Sequence, residues 1–109
     1  MAMVVKRFDV YSVNLDPTVG SEIQKTRPCL VISPDEMNRN IRTVIIAPMT
    51  SAQKDYPTRV SCTFKNKQGQ IVLDQVRTID RTRLIKKLDT IDSKAQRSVI
   101  SILQKLFSF

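Results

Sequence analysis

Short apolar segments separated by turn-forming residues are the feature that most constrains this fold, because the turns recur about every ten residues. The first segments predict strands over residues 8–15, 28–33 and 42–49. The second of these is apolar at consecutive positions, which indicates burial on both faces. Pro48 is expected to end the pairing of the third strand, since proline has no N–H to donate. Residues 35–40 are expected to form a turn or a single helical turn.

The second half of the chain continues the same pattern and ends in one helix. Residues 58–64 alternate between apolar and polar side chains, which predicts a half-buried strand. A hairpin connection at residues 66–69, a return strand over residues 70–73 and a further strand over residues 82–88 are expected to follow. Apolar side chains then recur at helical spacing. They are Ala95, Val99, Ile102, Leu103 and Leu106.

This helix is expected to start with a capping box, in which Ser93 and Gln96 satisfy the backbone N–H groups of the first turn. The pattern as a whole predicts a mainly β fold, a small antiparallel β-barrel with a C-terminal α-helix. Such a barrel removes most sheet edges. The chain has 109 residues, so residues 1–109 are predicted to form a single domain.

The charge of the chain indicates the kind of partner it binds. Lys and Arg total 18 against 10 acidic residues, giving a net charge of +8. This balance favours a polyanionic partner, namely nucleic acid, an acidic protein or an anionic membrane surface, although a merely soluble basic protein has the same composition. No apolar run is long enough for a signal peptide or a membrane span, so a cytoplasmic protein is expected.

The composition excludes several kinds of site. The chain has no histidine, which removes the usual general acid and base and the commonest metal ligand. Cys29 and Cys62 lie in apolar strand-like runs and are expected to be buried free thiols. Two glycines exclude a glycine-rich phosphate loop. Neither a metal site nor a cofactor is therefore expected.

Three polar clusters, at residues 20–28, 48–51 and 74–81, each lie at the end of a predicted strand. In a small barrel such ends gather at one rim, so these clusters are expected to converge. Arg27 precedes a proline, which restricts its backbone to extended conformations, and its planar guanidinium matches phosphate oxygens. Taken alone, Arg27 is more commonly a surface arginine or the partner of an ion pair with Glu22 than a phosphate contact.

Two further positions have both a functional and a structural interpretation. The hydroxyl of Thr50 can bind a phosphate oxygen or form an ordinary ST turn with its own backbone. Asp74 and Gln75 fit a strand terminus with turn-forming side chains, but also a carboxylate base and an amide that pairs with a nucleobase edge.

The order of these motifs resembles the MazF/PemK family of bacterial toxin endoribonucleases. The resemblance runs from about residue 8 to residue 84, and no single motif within it is specific. The matching pieces are Asp16-Pro17, Gly20-Ser21-Glu22, Lys25-Thr26-Arg27-Pro28, Asn38, Ala47-Pro48-Met49-Thr50-Ser51, Asp74-Gln75-Val76-Arg77-Thr78-Ile79-Asp80 and Arg83-Leu84.

This resemblance implies an SH3-like barrel of the CcdB/MazF/PemK type that forms a homodimer and cuts single-stranded RNA at short sequences without a metal. It also implies a cognate antitoxin, usually acidic, that occupies the RNA groove. Arg27 and Thr50 match the catalytic pair of the family, and Glu22 is a further catalytic candidate or a structural ion-pair partner. The residues expected to contact RNA are Ser21, Lys25, Ser51, Asp74, Gln75 and Arg77.

Two departures bear on the chemistry. Some members of the family have an arginine two residues before the motif aspartate, where this chain has Val72, and a histidine where it has Ser21. The resemblance therefore favours the branch that uses Arg27 and Thr50. The loops at residues 19–26 and 51–57 are expected to set the base preference.

Two other functions remain open at this stage. The same barrel in the CcdB group inhibits DNA gyrase by protein contact, and a non-catalytic RNA-binding barrel has the same charge. Retention of Arg27 and Thr50 argues against the first, whereas the second predicts RNA affinity with a steep salt dependence that Thr50→Ala leaves unchanged.

Overall fold

The fold is an antiparallel sheet followed by one long helix, seen in a computed structural model that describes residues 4–108. The ends of the predicted domain, residues 1–3 and 109, lie outside the described residues. The strands are β1 (Asp9–Asn14), β2 (Thr26–Val31), β3 (Thr43–Thr50), β4 (Arg59–Phe64), β5 (Lys67–Val72), β6 (Arg77–Asp80) and β7 (Leu84–Thr90). The helices are α1 (Asp35–Asn40) and α2 (Ser93–Leu106), with single 3-10 turns at Leu73–Gln75 and Arg81–Arg83.

The strands form one antiparallel sheet in the order β4-β5-β3-β2-β1-β7, and β6 pairs with β3. The sheet curls into a half-barrel, which confirms the predicted mainly β fold with a C-terminal helix. Within residues 4–108, β4, β6 and β7 each pair with one strand only, so each has an open edge. The exposed residues Lys86 and Lys87 on β7 suit such an edge, because charged side chains oppose pairing with another chain.

The core has two parts, one on each face of the sheet. Leu30 belongs to the cluster that includes Val99 of α2, whereas its neighbour Val31 belongs to the cluster with Val44 and Leu84. Successive side chains of a strand point to opposite faces. The consecutive apolar residues of β2 are therefore explained by burial on both faces, as predicted.

The prediction that Pro48 ends the pairing of the third strand was wrong. Pro48 lies within β3 and pairs with Cys29 of β2. On its other edge β3 changes partner, pairing with β6 as far as Ile46 and with β5 from Met49. The N–H that Pro48 lacks would lie between these two ladders, where neither strand needs it. The strand therefore continues to Thr50.

A hairpin joins β4 to β5 as predicted, but its turn does not cover residues 66–69. β4 pairs with β5 as far as Phe64 opposite Lys67, which leaves a two-residue turn of Lys65 and Asn66. Both turn residues have positive φ, 50° and 64°, as a type I′ turn requires. Gly69 lies inside β5 because the neighbouring strand approaches closely there: an added Cβ would lie 2.9 Å from the carbonyl oxygen of Thr50.

Three smaller differences concern the last third of the chain. Strand β6 was not predicted, since residues 74–81 were interpreted as one polar cluster, and β7 starts at Leu84 rather than residue 82. Helix α2 is capped by Asp92, whose Oδ1 accepts from Ala95 N at 2.8 Å. The capping box of Ser93 and Gln96 is therefore wrong, and the Gln96 amide donates instead to Ile91 O. Neither helix within residues 4–108 has the length and apolar character needed to cross a bilayer.

Candidate active site

Strands β2 and β3 bring Arg27 and Thr50 together. The two strands pair in the register Cys29↔Pro48 and Leu30↔Ala47. Arg27 lies two residues before Cys29 and Thr50 lies two residues after Pro48, so both are at the ends of the strands where the observed pairing stops. Both residues line the same surface groove of about 440 Å³.

The groove, here called the RP groove, has two walls. One wall holds the ends of β2 and β3, and the other is the β4–β5 hairpin. Its lining residues are Arg27, Pro28, Met49, Thr50, Ser51, Phe64, Lys65, Lys67, Gln68 and Gly69. The predicted site residues Arg27, Thr50 and Ser51 thus meet in one place. The hairpin wall was missed, because its residues were assigned to a connection rather than to the site.

Arg27 is exposed at the entrance of the groove. Its Nε donates to Gln24 O at 3.3 Å, which leaves the two terminal nitrogens directed away from this contact. The described part of the chain contains no ion pair between Arg27 and Glu22. The carboxylate of Glu22 instead accepts from Val19 N at 2.6 Å within its own loop.

Thr50 is half-buried at the end of β3, where the sheet fixes its backbone. Its Oγ1 accepts from Ala52 N at 3.2 Å, as in an ST turn, and the hydroxyl proton remains available to a second acceptor. The close approach of Gly69 to its carbonyl ties Thr50 to the hairpin wall. The hydroxyl is therefore held where it can donate into the RP groove.

The loop that follows Thr50 is clamped to the hairpin by one buried amide. Gln70 is 6% exposed, and its side chain accepts from Lys54 N at 3.1 Å and donates to Lys54 O at 2.8 Å. Both polar ends of the buried amide are thus satisfied by the backbone of one residue, Lys54. The loop at residues 51–57 is consequently anchored at Lys54.

Four other predicted site residues, Glu22, Asp74, Gln75 and Arg77, line a second cleft of about 240 Å³. Here Gln75 Oε1 accepts from Ile23 N at 2.9 Å. These contacts hold the loop between β1 and β2 against the 3-10 turn at Leu73–Gln75. The expected convergence at one rim is therefore divided between two neighbouring depressions.

Asp74 and Arg77 in this cleft have structural partners. Asp74 Oδ1 accepts from Thr58 Oγ1 at 3.0 Å and pairs with Arg59 Nε at 3.3 Å, which ties it to the start of β4. Arg77 Nη1 donates to Leu15 O at 3.1 Å, at the end of β1.

Ser21 and Lys25, predicted to contact RNA, are exposed in the β1–β2 loop and line neither depression. Lys25 has positive φ (69°), and its N–H donates to Asp16 Oδ1 at 2.9 Å. The backbone of the loop is thus fixed at Lys25 while its side chain projects into solvent.

Neither cysteine is arranged for chemistry. Burial raises the pKa of the Cys29 thiol to about 12, opposed by the nearby Arg77. Burial also raises the pKa of Cys62, which is half-buried rather than buried as predicted. Both thiols are free and stay protonated near neutral pH. Residues 4–108 contain no group of three or more acidic or cysteine side chains placed to hold a metal ion.

Comparison with known proteins places this chain in a family. The model of the PemK-like, MazF-like toxins of type II toxin–antitoxin systems matches residues 6–107. The chain belongs to the PemK/MazF toxin family. Within this family it is 40% identical over 108 residues to the endoribonuclease EndoA of Bacillus subtilis, covering 94% of this chain and 93% of that protein.

Two solved structures show how far the fold extends among similar proteins. The crystal structure of MazF from Deinococcus radiodurans superposes with a TM-score of 0.87 at 26% identity, covering 99% of this chain and 100% of that one. A mycobacterial endoribonuclease, solved in complex with its cognate antitoxin, superposes with a TM-score of 0.81 at 18% identity, with 96% and 98% covered. The PemK/MazF fold thus accounts for nearly the whole chain.

Proposed function

We propose that this PemK/MazF toxin is a sequence-specific, metal-independent endoribonuclease that cleaves single-stranded RNA in the RP groove. The observation that carries this function is that Arg27 and Thr50, at the adjoining ends of β2 and β3, line one groove. The 40% identity to a protein named an endoribonuclease supports it, and so does the family match.

The proposed chemistry uses the RNA's own 2′-hydroxyl as the nucleophile. Its oxygen forms a bond to the adjacent phosphorus, the bond from phosphorus to the 5′-oxygen breaks, and a 2′,3′-cyclic phosphate and a free 5′-hydroxyl result. The 2′-hydroxyl loses a proton to a base, and the leaving 5′-oxygen gains one.

Arg27 stabilises the extra negative charge on the phosphate oxygens, because a guanidinium is charged at every working pH and is already placed at the groove. Thr50 orients the phosphate by donating a hydrogen bond. Thr50 does not serve as the base, because an aliphatic hydroxyl is too weak an acid to be ionised near neutral pH.

Glu22 has a supporting role in this proposal. Its carboxylate accepts from Val19 N, and it lies in the cleft with Gln75 and Arg77 rather than beside Arg27. Gln75 and Arg77 likewise hold backbone groups at residues 23 and 15. We propose that these three residues fix the β1–β2 loop, and that Ser21 and Lys25 on that loop touch the RNA strand.

The partners follow from the same family. We propose a cognate antitoxin that covers the RP groove, since the family that matches this chain consists of toxins of toxin–antitoxin systems. The net charge of +8 suits an acidic partner as well as RNA. We further propose that the toxin acts in the cytoplasm as a homodimer, as the resemblance of the sequence implies.

The decisive experiment incubates the protein with a long RNA of low structure in EDTA and maps the cut sites. The wild type should cut at a short recurring sequence and leave cyclic phosphate ends. Arg27→Ala should lower the rate about 10²-fold or more, as loss of a preorganised charge does. Thr50→Ala should lower it about tenfold or more.

The matched controls Arg97→Ala and Thr63→Ala change the same residue types at exposed positions outside the groove and should cut like the wild type. Intact RNA, or equal cutting by Arg27→Ala, would refute the proposal. Inhibition of DNA supercoiling by gyrase without RNA cleavage would support the CcdB-like alternative.

A further inference from the structure

The hairpin wall of the RP groove carries two lysines that the proposed chemistry does not use. Lys65 and Lys67 flank Asn66 at the tip of the β4–β5 hairpin, and both are exposed. Both also line the groove together with Arg27 and Thr50. Their position relative to the proposed catalytic pair distinguishes them from lysines elsewhere on the surface.

The backbone of this hairpin tip is fixed. Lys65 and Asn66 have positive φ in a two-residue turn, and the ladder is intact up to Phe64 opposite Lys67. The ammonium of Lys65 lies 5.9 Å from the centre of the Phe64 ring, a distance at which a cation–π contact restrains the side chain. The backbone of both lysines is therefore held at the groove wall, and the Lys65 side chain has an additional contact with Phe64.

The groove concentrates positive charge without a neutralising group. Its lining includes the cations Arg27, Lys65 and Lys67 and contains neither aspartate nor glutamate. The ion pairs found within residues 4–108 lie elsewhere, between Arg59 and Asp74 and between Lys87 and Asp9. Like charges that share one groove repel each other, so the arrangement is stabilised by an anion that lies between them.

We propose that Lys65 and Lys67 bind the phosphates that flank the scissile phosphate of the RNA strand. This inference rests on the proposed function, because it assigns the hairpin a place beside Arg27 and Thr50. A lysine is a compact charge with three donors and holds a phosphate without demanding one fixed geometry. The apolar side chains of Pro28, Met49 and Phe64 in the same groove leave room for an unstacked base between these charges.

Lys65 and Lys67 are positioning residues in this scheme. They hold the ground state and the transition state of the RNA alike, so their loss should raise KM and leave kcat nearly unchanged. Each phosphate contact also releases bound counterions. The slope of log(kcat/KM) against log salt should therefore become less steep by about 0.7 for each lysine removed.

The experiment compares two charge-matched double variants on a fluorogenic RNA that contains the mapped cut site. Lys65→Ala/Lys67→Ala should raise KM about tenfold at 150 mM salt, change kcat less than about twofold and flatten the salt slope by about 1.4. Lys94→Ala/Lys105→Ala removes the same charge from the exposed face of α2 and should keep the wild-type slope. Lys65→Arg/Lys67→Arg should restore KM, which a merely structural effect on the turn would not explain.

A hairpin variant with the KM and salt slope of the α2 variant would overturn the inference while RNA cleavage by the wild type stands. A wild type that leaves RNA intact would overturn the proposed function instead. In that case the salt dependence of RNA binding by Thr50→Ala, with and without the hairpin lysines, still decides whether the hairpin contacts phosphates.

Discussion

At the scale of single residues, β2 passes from solvent to core within two positions. Arg27 is exposed, Pro28 is half-buried and Cys29 is fully buried. Pro28 restricts the backbone of Arg27, and the buried strand beyond it holds that backbone in the sheet. The guanidinium thus starts from a rigid base although it lies in solvent.

Cys29 gives the first prediction, which concerns stability at high pH. Its pKa is raised to about 12 in the folded chain from an ordinary value near 9. The folded state therefore keeps a proton that the unfolded state loses above pH 9. This stabilisation is complete below pH 9 and declines between pH 9 and about 12. We expect the free energy of unfolding to fall by about 1.4 kcal/mol per pH unit there, measured by urea denaturation.

Cys29→Ala should flatten this alkaline decline, because it removes the thiol whose titration causes it. The cavity left by the substitution lowers stability equally at every pH. Cys62→Ala is the matched control, since Cys62 is less buried, and it should flatten the decline less. Equal declines for wild type and Cys29→Ala would contradict the assignment.

The residues of the site differ in how far the sequence predicts them. Arg27 and Thr50 are found from motifs that lie next to each other on paired strands. Lys65 and Lys67 are not, because their place in the groove depends on where the hairpin turns. That point is set by the pairing of Phe64 with Lys67, which local composition does not determine. Whether the RNA-contact residues act as expected stays a prediction.

At the scale of elements, β3 approaches β5 closely at Gly69, which gives the second prediction. A Cβ at this position would lie 2.9 Å from Thr50 O, a backbone atom that moves only with its strand. Gly69→Ala should therefore displace Thr50 and lower kcat about tenfold or more, because small misplacements of positioning groups are costly. Single-turnover cleavage of RNA by the variant measures this effect.

Gly20→Ala is the control for the loss of a glycine. Gly20 has φ of 61° and no atom within 4 Å of an added Cβ, so its cost is backbone strain of about 1 kcal/mol without a clash. We expect it to lower the melting temperature with little effect on the rate of the chemical step. A Gly69→Ala variant with wild-type kcat would show that the close approach does not position Thr50.

The start of α2 gives the third prediction. Asp92 accepts from Ala95 N, whereas Ser93 is the first residue of the helix. Asp92→Ala should lower the free energy of unfolding by about 1 kcal/mol, the usual cost of losing an N-cap. Ser93→Ala should change it by a few tenths at most. Urea denaturation of both variants shows which residue caps the helix. A larger effect for Ser93→Ala would favour the capping box of Ser93 and Gln96.

The elements also show what local sequence does not determine. Alternation and helical spacing predict β4 and α2 well, because each has one face in the core. They miss β6, whose exposed and charged residues carry little apolar pattern and whose strand conformation comes from pairing with Thr43–Ile46 of β3. The position of Pro48 inside β3 depends likewise on a change of strand partner.

At the scale of the whole molecule, the side chains with shifted pKa values all titrate further from neutral pH than they ordinarily would. The chain has no histidine. Burial raises the pKa values of Tyr11, Cys29 and Cys62, whereas hydrogen bonds from Thr82 lower that of Asp80. Each resolved shift therefore moves a group further from pH 7. The side chains assigned to catalysis are a guanidinium, on Arg27, and an aliphatic hydroxyl, on Thr50, and neither is an imidazole.

This arrangement predicts the pH dependence of RNA cleavage. Enzymes that use histidine as acid and base give a bell-shaped profile, whose limbs report two pKa values. Here we expect kcat/KM to lack such a bell between pH 6 and pH 8 and to stay level or rise with pH, because deprotonation of the 2′-hydroxyl becomes easier. The measurement uses one RNA in EDTA at constant ionic strength, with Arg27→Ala to subtract background hydrolysis. Two limbs within this range would require a side chain with a pKa near 7 and would contradict the assignment of charge stabilisation to Arg27 and positioning to Thr50.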